Sequence, residues 1–134
     1  MGSRHVIVLD THAWVWWLTK PDKVGRRARR ALDKAARVGV PAICPWEVAA
    51  KAEAGKLRFD RPCETWIDAA LTEDPRVELL HLTPRISVAA VRLSWAHRDP
   101  ADRFIVATAR AHEAPLVTSD ERIHDARLVR CLWD

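Results

Sequence analysis

Short apolar runs alternate with helical patterns along the chain, and no segment repeats. Runs rich in β-branched residues predict five strands, at residues 5–9, 39–43, 77–81, 115–118 and 128–132. Apolar residues at helical spacing predict helices at residues 11–18, 24–37, 45–54, 63–71, 85–95 and 100–114. Short apolar strands separated by helices are typical of a parallel sheet covered on both faces. We therefore expect an α/β fold, a three-layer α/β/α sandwich with a mostly parallel sheet of about five strands.

Length and composition narrow the class of protein further. The 134 residues predict one domain spanning residues 1–134, and 49% apolar with 30% charged residues excludes disordered and collagen-like chains. No apolar stretch approaches the ~20 residues that cross a bilayer, and residues 1–5 lead into the first strand without a signal-peptide pattern. Three distant cysteines predict neither a disulfide framework nor a zinc site. We expect a soluble cytoplasmic protein with no membrane partner.

Positive charge is concentrated in one segment of the chain. The net charge is +4, but residues 20–37 alone hold eight Lys or Arg residues against two Asp residues. Helical spacing of the apolar residues predicts that the basic side chains share the opposite face of the helix. Such a cluster either attracts a polyanion such as RNA or is a solvated helix face. The candidate RNA-binding residues are Arg26, Arg27, Arg30, Lys34 and Arg37.

Four acidic residues occupy corresponding places in the predicted fold. Asp10 directly follows the first strand, and Asp120 follows the fourth strand after Thr118 and Ser119. Glu47 is expected in the first turn of the helix after the second strand. Asp102 is expected in the first turn of the helix before the fourth strand. Because the carboxyl ends of parallel strands meet at one edge of a sheet, all four carboxylates should face that edge.

Carboxylates gathered at a partly apolar site repel one another and require protons or cations. Oxygen ligands without paired His or Cys favour hard divalent ions, so one or two Mg²⁺ or Mn²⁺ ions are expected there, in a centre that handles phosphates. Each acid also has a structural alternative. Asp10, Asp99 and Asp120 can cap helices. Asp102 can be the third residue of the helix that Asp99 caps, and Glu47 can interact favourably with a helix dipole.

Other chemistry finds little support in the sequence. The six histidines show no metal-ligand spacing, no glycine-rich phosphate loop is present, and Ser119 and Cys44 lack a neighbouring His–acid arrangement. A phospho-receiver domain would need a pair of adjacent acids after the first strand, and only Asp10 is present there. A phosphatase with an Asp-x-Asp motif is excluded because His12 stands where the second Asp of the motif would be. The tryptophans 14, 17 and 66 are expected in the core or at an interface.

Four segments, in order and at family-like spacing, resemble the PIN domain and, within it, the VapC-type toxins of bacterial toxin–antitoxin pairs. They read VLDTHAW at residues 8–14, PWEVAAK at 45–51, HRDPADRFIVATA at 97–109 and LVTSD at 116–120. Ala101 stands where relatives often carry a bulky aromatic residue, and Pro45 where a Ser is common. Neither departure removes an acid, but both can reshape the RNA groove.

The resemblance implies a metal-dependent endoribonuclease that acts on structured RNA, often tRNA, and leaves a 5′-phosphate and a 3′-hydroxyl. It implies that Mg²⁺ or Mn²⁺ binds among four principal acids, with an accessory acid and hydroxyl groups nearby. It also implies a homodimer and a cognate antitoxin protein. The alternative is a non-catalytic PIN-like module that binds RNA or protein. The principal acids are Asp10, Glu47, Asp102 and Asp120, and the accessory residues are Asp99, Thr11, Thr118 and Ser119.

Overall fold

The computed structural model describes residues 5–134. Residues 1–4, on which the signal-peptide expectation partly rests, lie outside the described residues. Within residues 5–134, five strands and seven α-helices follow one another, with a 3-10 turn at Pro21–Lys23. The elements are β1 Val6–Leu9, α1 Thr11–Thr19, α2 Arg26–Lys34, β2 Arg37–Pro41, α3 Ile43–Glu53, α4 Cys63–Thr72, β3 Val77–Leu80, α5 Pro84–Arg92, α6 Pro100–Ala111, β4 Leu116–Val117, α7 Glu121–Ala126 and β5 Cys131–Leu132.

The strands form one sheet in the order β3-β2-β1-β4-β5, and every pairing is parallel. The prediction of an α/β fold with a five-stranded parallel sheet is thus confirmed. The chain runs outward from β1 through β2 to β3 and then returns to β4 on the other side of β1. Parallel sheets open a crevice at the carboxyl ends of the strands where this reversal occurs. In this protein the crevice lies beyond Leu9 and Val117.

The core forms because the central strands are apolar on both faces. Val8, Leu9 and Leu116 are completely buried in the centre of the sheet. On α1, the Trp14 ring is completely buried and lies 5.4 Å from the Trp66 ring of α4. The expectation that tryptophans fill the core is confirmed for these two residues. This packing fixes the start of α1, and therefore the residue that precedes it, against the sheet.

Helix ends follow the local chemistry of the sequence. The Asp10 carboxylate caps α1 by accepting the Ala13 N–H at 2.8 Å. Gly55 follows α3 with a φ of +78°, a conformation that favours glycine and ends the helix as predicted. At the start of α2, a Cβ on Gly25 would collide with the Trp133 carbonyl, so glycine allows this close approach.

The second strand differs from its prediction. It covers residues 37–41 rather than 39–43, and Pro41 is its last residue. The following helix begins at Ile43, which places Glu47 in its second turn rather than its first. Arg37 therefore lies on a strand and not on the basic helix, where it was predicted. Its guanidinium donates to both oxygens of Glu78 on β3, at 2.8 and 2.7 Å.

Other elements are also shorter than predicted. Helix α5 ends at Arg92, and the apolar residues Leu93 and Trp95 belong to the loop that follows. The fifth strand contains only Cys131 and Leu132. None of the helices within residues 5–134 combines the length and the apolar character needed to cross a membrane.

Candidate metal centre

Asp10 lies at the deepest point of the crevice, directly after the central strand β1. Its backbone N–H donates to the Val117 carbonyl of β4 at 3.1 Å, so the sheet itself fixes its position. The side chain is buried, with 8% of its surface exposed. The hydrogen bond that caps α1 orients the carboxylate and leaves further lone pairs for other ligands.

Asp120 follows β4 and caps α7. Its carboxylate accepts the Arg122 N–H at 2.9 Å, and its own N–H donates to the Thr118 hydroxyl at 3.0 Å. Thr118 is completely buried, whereas Ser119 is exposed at the edge of the crevice. The short segment 118–120 therefore carries one structural hydroxyl, one accessible hydroxyl and one acid.

The start of α6 contributes two acids. Asp99 is the N-cap and accepts the Ala101 N–H at 3.0 Å, and Asp102 lies in the first turn of the helix. Pro100 at the first helical position is the arrangement that the sequence predicted. The Asp102 side chain is only 16% exposed and contacts His97, whose Nε2 lies 2.7 Å from the Asp102 Oδ2.

Glu47 reaches the crevice from α3. Its carboxylate accepts a short hydrogen bond from the Thr11 hydroxyl at the start of α1. Thr11 is buried and directly follows Asp10, so this hydrogen bond connects the second turn of α3 to the start of α1. One hydroxyl thereby sets the orientation of an acid that comes from a distant part of the sequence.

All four principal acids line a single cavity of about 170 Å³, together with three of the four accessory residues. This volume suits ions, water and a phosphate group, whereas two larger hollows of about 720 and 770 Å³ lie elsewhere on the surface. Thr118 lies beneath the cavity rather than in its wall. The lining residues are Asp10, Thr11, His12, Glu47, Lys51, Asp99, Asp102, Ile105, Ser119, Asp120 and Arg122.

The carboxylates of the cavity are harder to ionise because they are buried and lie close to one another. Burial raises the pKa of Asp10 to about 6, and the negative charges of Asp102 and Asp120 act in the same direction. Hydrogen bonds from the Thr118 hydroxyl and the Ala13 N–H oppose that rise. Burial also raises the pKa of Asp102 above its ordinary value, although the hydrogen bond from His97 favours its ionised form. A cation in the cavity would stabilise both ionised carboxylates.

Arg122 is a positive group in the cavity that the sequence analysis missed. Its Nη2 lies 3.1 Å from the Asp120 Oδ2 and 3.9 Å from the Asp102 Oδ2. Partial burial opposes ionisation of Asp120, but the hydrogen bonds from Arg122 keep the pKa of this carboxyl below its ordinary value. The Arg122 side chain is 64% exposed, so it can move aside for a ligand.

Lys51 and His97 are two further residues near the acids that the sequence analysis left without a role. Lys51 lines the cavity from α3, four residues after Glu47, and this helical spacing was a signal that could have placed both on one face. His97 precedes Asp102 by five residues across a loop, and no regular spacing indicates such a contact. Potential ligand atoms of His97, Asp99 and Asp102 lie within 4.8 Å of one another.

The residues of the cavity fit a hard divalent cation. The acids offer carboxylate oxygens from four separate elements, which is the ligand type that Mg²⁺ and Mn²⁺ prefer. The raised pKa of Asp10 shows that its negative charge lacks full compensation from the protein. One divalent ion would supply that compensation where it is needed.

The basic helix α2 stands apart from this cavity. Arg26, Arg27, Arg30 and Lys34 are exposed, as the spacing predicted, and none of them belongs to the cavity wall. Arg29 lies 3.6 Å from Asp22 in an exposed ion pair. Helix α2 therefore presents its charge to solvent rather than to the cavity.

The parallel α/β fold and the cavity of carboxylates define an α/β protein with a candidate site for a divalent cation. Sequence comparison identifies the family to which it belongs. The PIN domain family matches this chain over residues 7–128, and the chain belongs to that family. A relative, Ribonuclease VapC22 of Mycobacterium tuberculosis, is 35% identical over 122 residues, which cover 90% of this chain and 92% of the relative.

Solved structures share the fold at lower sequence identity. The crystal structure of VapBC2 from Rickettsia felis, bound to a DNA fragment from its promoter, matches 96% of this chain and 99% of the matched chain, with a TM-score of 0.71 and 18% identity. VapBC-1 from nontypeable Haemophilus influenzae matches 94% of this chain and 96% of the matched chain, with a TM-score of 0.64 and 18% identity. These likenesses establish the fold.

Proposed function

We propose that this protein is a Mg²⁺- or Mn²⁺-dependent endoribonuclease and acts as the toxin of a toxin–antitoxin pair. The observation that carries the proposal is the single cavity in which carboxylates from four elements meet. Membership of the PIN family and 35% identity to a ribonuclease support the assignment of RNA as the substrate. The chain works as one domain in this proposal, and it acts in the cytoplasm.

Each acid has a distinct role in the proposed site. Asp10, Asp102 and Asp120 hold the principal divalent ion, because they lie at the strand edge where burial and mutual repulsion demand a cation. Glu47, oriented by Thr11, holds a second ion or positions the attacking water. When bound, the ion supplies Lewis acidity that makes a water more acidic and neutralises charge developing on the phosphate.

The remaining cavity residues bind and orient the RNA backbone. Lys51 and Arg122 place two positive groups in the wall, within reach of phosphate oxygens outside the carboxylate cluster. Ser119 and Asp99 also line the cavity and offer polar oxygens to a bound water or to the RNA backbone. Thr118 holds the carboxylates from below, because its hydroxyl bonds to both Asp10 and the Asp120 backbone.

A structured RNA, such as a tRNA, fits this site better than a small phosphorylated metabolite. The cavity of about 170 Å³ is small, so it can take one phosphate and its neighbouring oxygens but not a whole nucleotide. The rest of the substrate must then lie across the surface, where a net charge of +4 favours a polyanion.

We also propose a cognate antitoxin as a protein partner and a homodimer as the assembly. The support for the antitoxin is that structures sharing this fold include toxin–antitoxin complexes, such as one from Klebsiella pneumoniae. The homodimer rests on the resemblance to VapC-type toxins alone. An antitoxin that covers the acid cavity would keep RNA from it.

Cleavage of a purified tRNA pool tests the proposal. Wild-type protein should cut RNA with added Mn²⁺ or Mg²⁺ and stop in EDTA. Asp10→Asn keeps the helix cap and volume but removes a charge, so the rate should fall at least ~100-fold, beyond the ~10–100-fold typical of outer-shell partners of a metal. Asp68→Asn, an exposed acid on α4, is the matched control and should cut normally.

Two results would contradict the proposal. Full activity in EDTA would exclude the divalent ion, and a wild-type rate for Asp10→Asn would exclude the acid cavity as the site. Metal-independent RNA binding without any cleavage would instead favour the non-catalytic PIN-like module.

A further inference from the structure

A single side chain holds the backbone between α5 and α6. The Arg103 guanidinium donates to five carbonyl oxygens, two at the end of α5 and three in residues 93–99, which we call the His97 loop. A guanidinium has five N–H groups, so every donor of Arg103 is in use. The acceptors are Ala90 at 2.9 Å, Val91 at 3.1 Å, Leu93 at 2.9 Å, Trp95 at 2.9 Å and His97 at 2.8 Å.

This arrangement stabilises both the helix end and the loop. Carbonyls in the last turn of a helix lack intrahelical partners and carry partial negative charge, so a cation is favoured there. Arg103 satisfies two of them and then extends the same planar fork to the loop. A lysine has three donors on a single point charge and cannot reproduce this pattern.

The loop in turn carries His97 to Asp102. The His97 carbonyl accepts from Arg103, while its ring packs 4.8 Å from the Trp95 ring and is only 16% exposed. Its Nε2 lies 2.7 Å from the Asp102 Oδ2. An ionised carboxylate only accepts hydrogen bonds, so the imidazole donates through Nε2–H.

The hydrogen bond from His97 uses one of the two oxygens of the Asp102 carboxylate and leaves the other available to a ligand. Within residues 5–134, Oδ1 of Asp102 accepts no hydrogen bond, while Oδ2 is bound by His97 and lies 3.9 Å from Arg122. Fixing one oxygen fixes the plane of the whole carboxylate. The other oxygen is thereby presented in one orientation.

The His97 ring supports this carboxylate from outside the cavity. Asp99 and Asp102 belong to the cavity wall, but His97 does not. A donor behind a metal-binding carboxylate is the usual way in which proteins orient such a ligand.

We propose that His97 is a positioning residue for the Asp102 carboxylate and that Arg103 holds His97 in place for this task. Asp102 and Arg103 are adjacent on α6, so about 100° of helix rotation directs one toward the cavity and the other toward the His97 loop. Neighbouring residues of α6 thus contact the same histidine, Asp102 through the His97 ring and Arg103 through the His97 carbonyl. This inference rests on the proposed function, because it assigns Asp102 to a divalent ion.

The experiment measures Mn²⁺ affinity by titration calorimetry on the full chain, with RNA cleavage as a second readout. His97→Ala should weaken Mn²⁺ binding by ~10–100-fold, the range for outer-shell partners. His97→Gln, whose amide N–H₂ can reach the position of Nε2–H, should restore the affinity to within about threefold of wild type. His112→Ala, an exposed histidine just after α6, is the control and should bind normally.

Arg103→Gln tests the second half of the proposal. It should weaken Mn²⁺ binding as His97→Ala does, and the double variant should be no worse than the more severe single variant, because both act through one contact. Circular dichroism confirms the fold of each variant. If Arg103→Gln does not fold, the two His97 variants still decide the role of His97.

The outcomes separate this inference from the proposed function. Wild-type affinity in His97→Ala, or equal loss in His97→Ala and His97→Gln, would overturn the positioning role while the metal site stands. Additive losses in the double variant would overturn the link to Arg103. Failure of the wild-type protein to bind Mn²⁺ would overturn both the proposed function and this inference.

Discussion

Asp10 performs two tasks with one side chain. Its carboxylate caps α1 through the Ala13 N–H and also faces the acid cavity. Asp99 and Asp120 likewise cap helices at the edge of the same cavity. The capping explanation and the site explanation of these residues are therefore compatible, because a cap hydrogen bond uses part of a carboxylate and fixes the rest.

Ionisation of Asp10 should destabilise the metal-free protein. Its pKa in the folded state, about 6, exceeds the ordinary value of 3.8, so the folded protein holds this proton more tightly than the unfolded chain. Its contribution to the free energy of unfolding is present below about pH 4 and is lost as the pH rises through 6. At 1.36 kcal/mol per pKa unit, the loss is on the order of 3 kcal/mol at most.

Urea unfolding in EDTA checks this prediction. Asp10→Asn cannot ionise and keeps the cap, so its stability relative to wild type should increase from pH 4 to pH 7. Saturating Mn²⁺ at pH 7 should then stabilise wild type and not the variant. A stability difference that is constant with pH would contradict the assigned pKa.

The positions of the acids could be predicted from the sequence more readily than the residues that contact them. Asp10 and Asp120 follow strands, so the fold class alone brings them to one edge of the sheet. The contact of His97 with Asp102 depends on the path of an irregular loop, and the reach of Arg122 depends on its rotamer. Neither follows from residue type or from a helical or strand period.

The basic helix α2 is the element whose role is least constrained by the cavity. Its Arg27 and Arg30 are exposed and lie outside the cavity wall. Contacts from such residues to phosphates would position an RNA without reading its sequence. Arg37, which was predicted to belong to this group, is engaged with Glu78 instead.

If α2 binds the RNA backbone, its contacts should appear in the salt dependence of affinity. Each lost phosphate contact on single-stranded or duplex nucleic acid lowers the slope of log K against log salt by about 0.7 to 0.9. Arg27→Gln with Arg30→Gln should therefore flatten the slope by about twice that amount. Binding is measured in the Asp10→Asn background with EDTA, so that the RNA stays intact.

The matched control exchanges two exposed arginines of α5, Arg85→Gln with Arg92→Gln. This pair should leave the slope unchanged. An unchanged slope in the α2 variant would show that the helix contacts solvent or a protein partner rather than RNA.

The predicted boundaries of helices and strands were wrong where apolar residues continue past the end of an element. Ile43 was predicted to end a strand because it follows an apolar run, yet it starts α3. Leu93 and Trp95 extended the predicted fifth helix, yet the structure ends it at Arg92 because Arg103 binds the loop carbonyls. Hydrophobic periodicity reports burial, and it does not report which hydrogen-bond partner a backbone carbonyl finds.

On the scale of the whole molecule, strand order explains why the acids meet. The sequence predicted a parallel sheet, but the order β3-β2-β1-β4-β5 depends on tertiary pairings that no local pattern encodes. This order reverses between β1 and β4, so the residues after these two strands face one crevice. Helices α3 and α6 add Glu47 and Asp102 from either side of the chain reversal.

The charge distribution divides the work of binding between surface and cavity. The molecule carries a net charge of +4, which favours a polyanion at long range, while the cavity is rich in carboxylates that repel a phosphate at short range. A divalent cation would offset part of this negative charge and give a phosphate oxygen a positive group to bind. The proposed metal requirement thus concerns both phosphate binding and catalysis.

The most direct test of this account is the anomalous diffraction of manganese in crystals soaked with Mn²⁺. A manganese peak is expected in the cavity, bound by carboxylate oxygens of Asp10, Asp102 and Asp120, and this peak should be lost in Asp10→Asn. Carboxylates that stay free of manganese at saturating Mn²⁺, or a peak that persists in the variant, would contradict it.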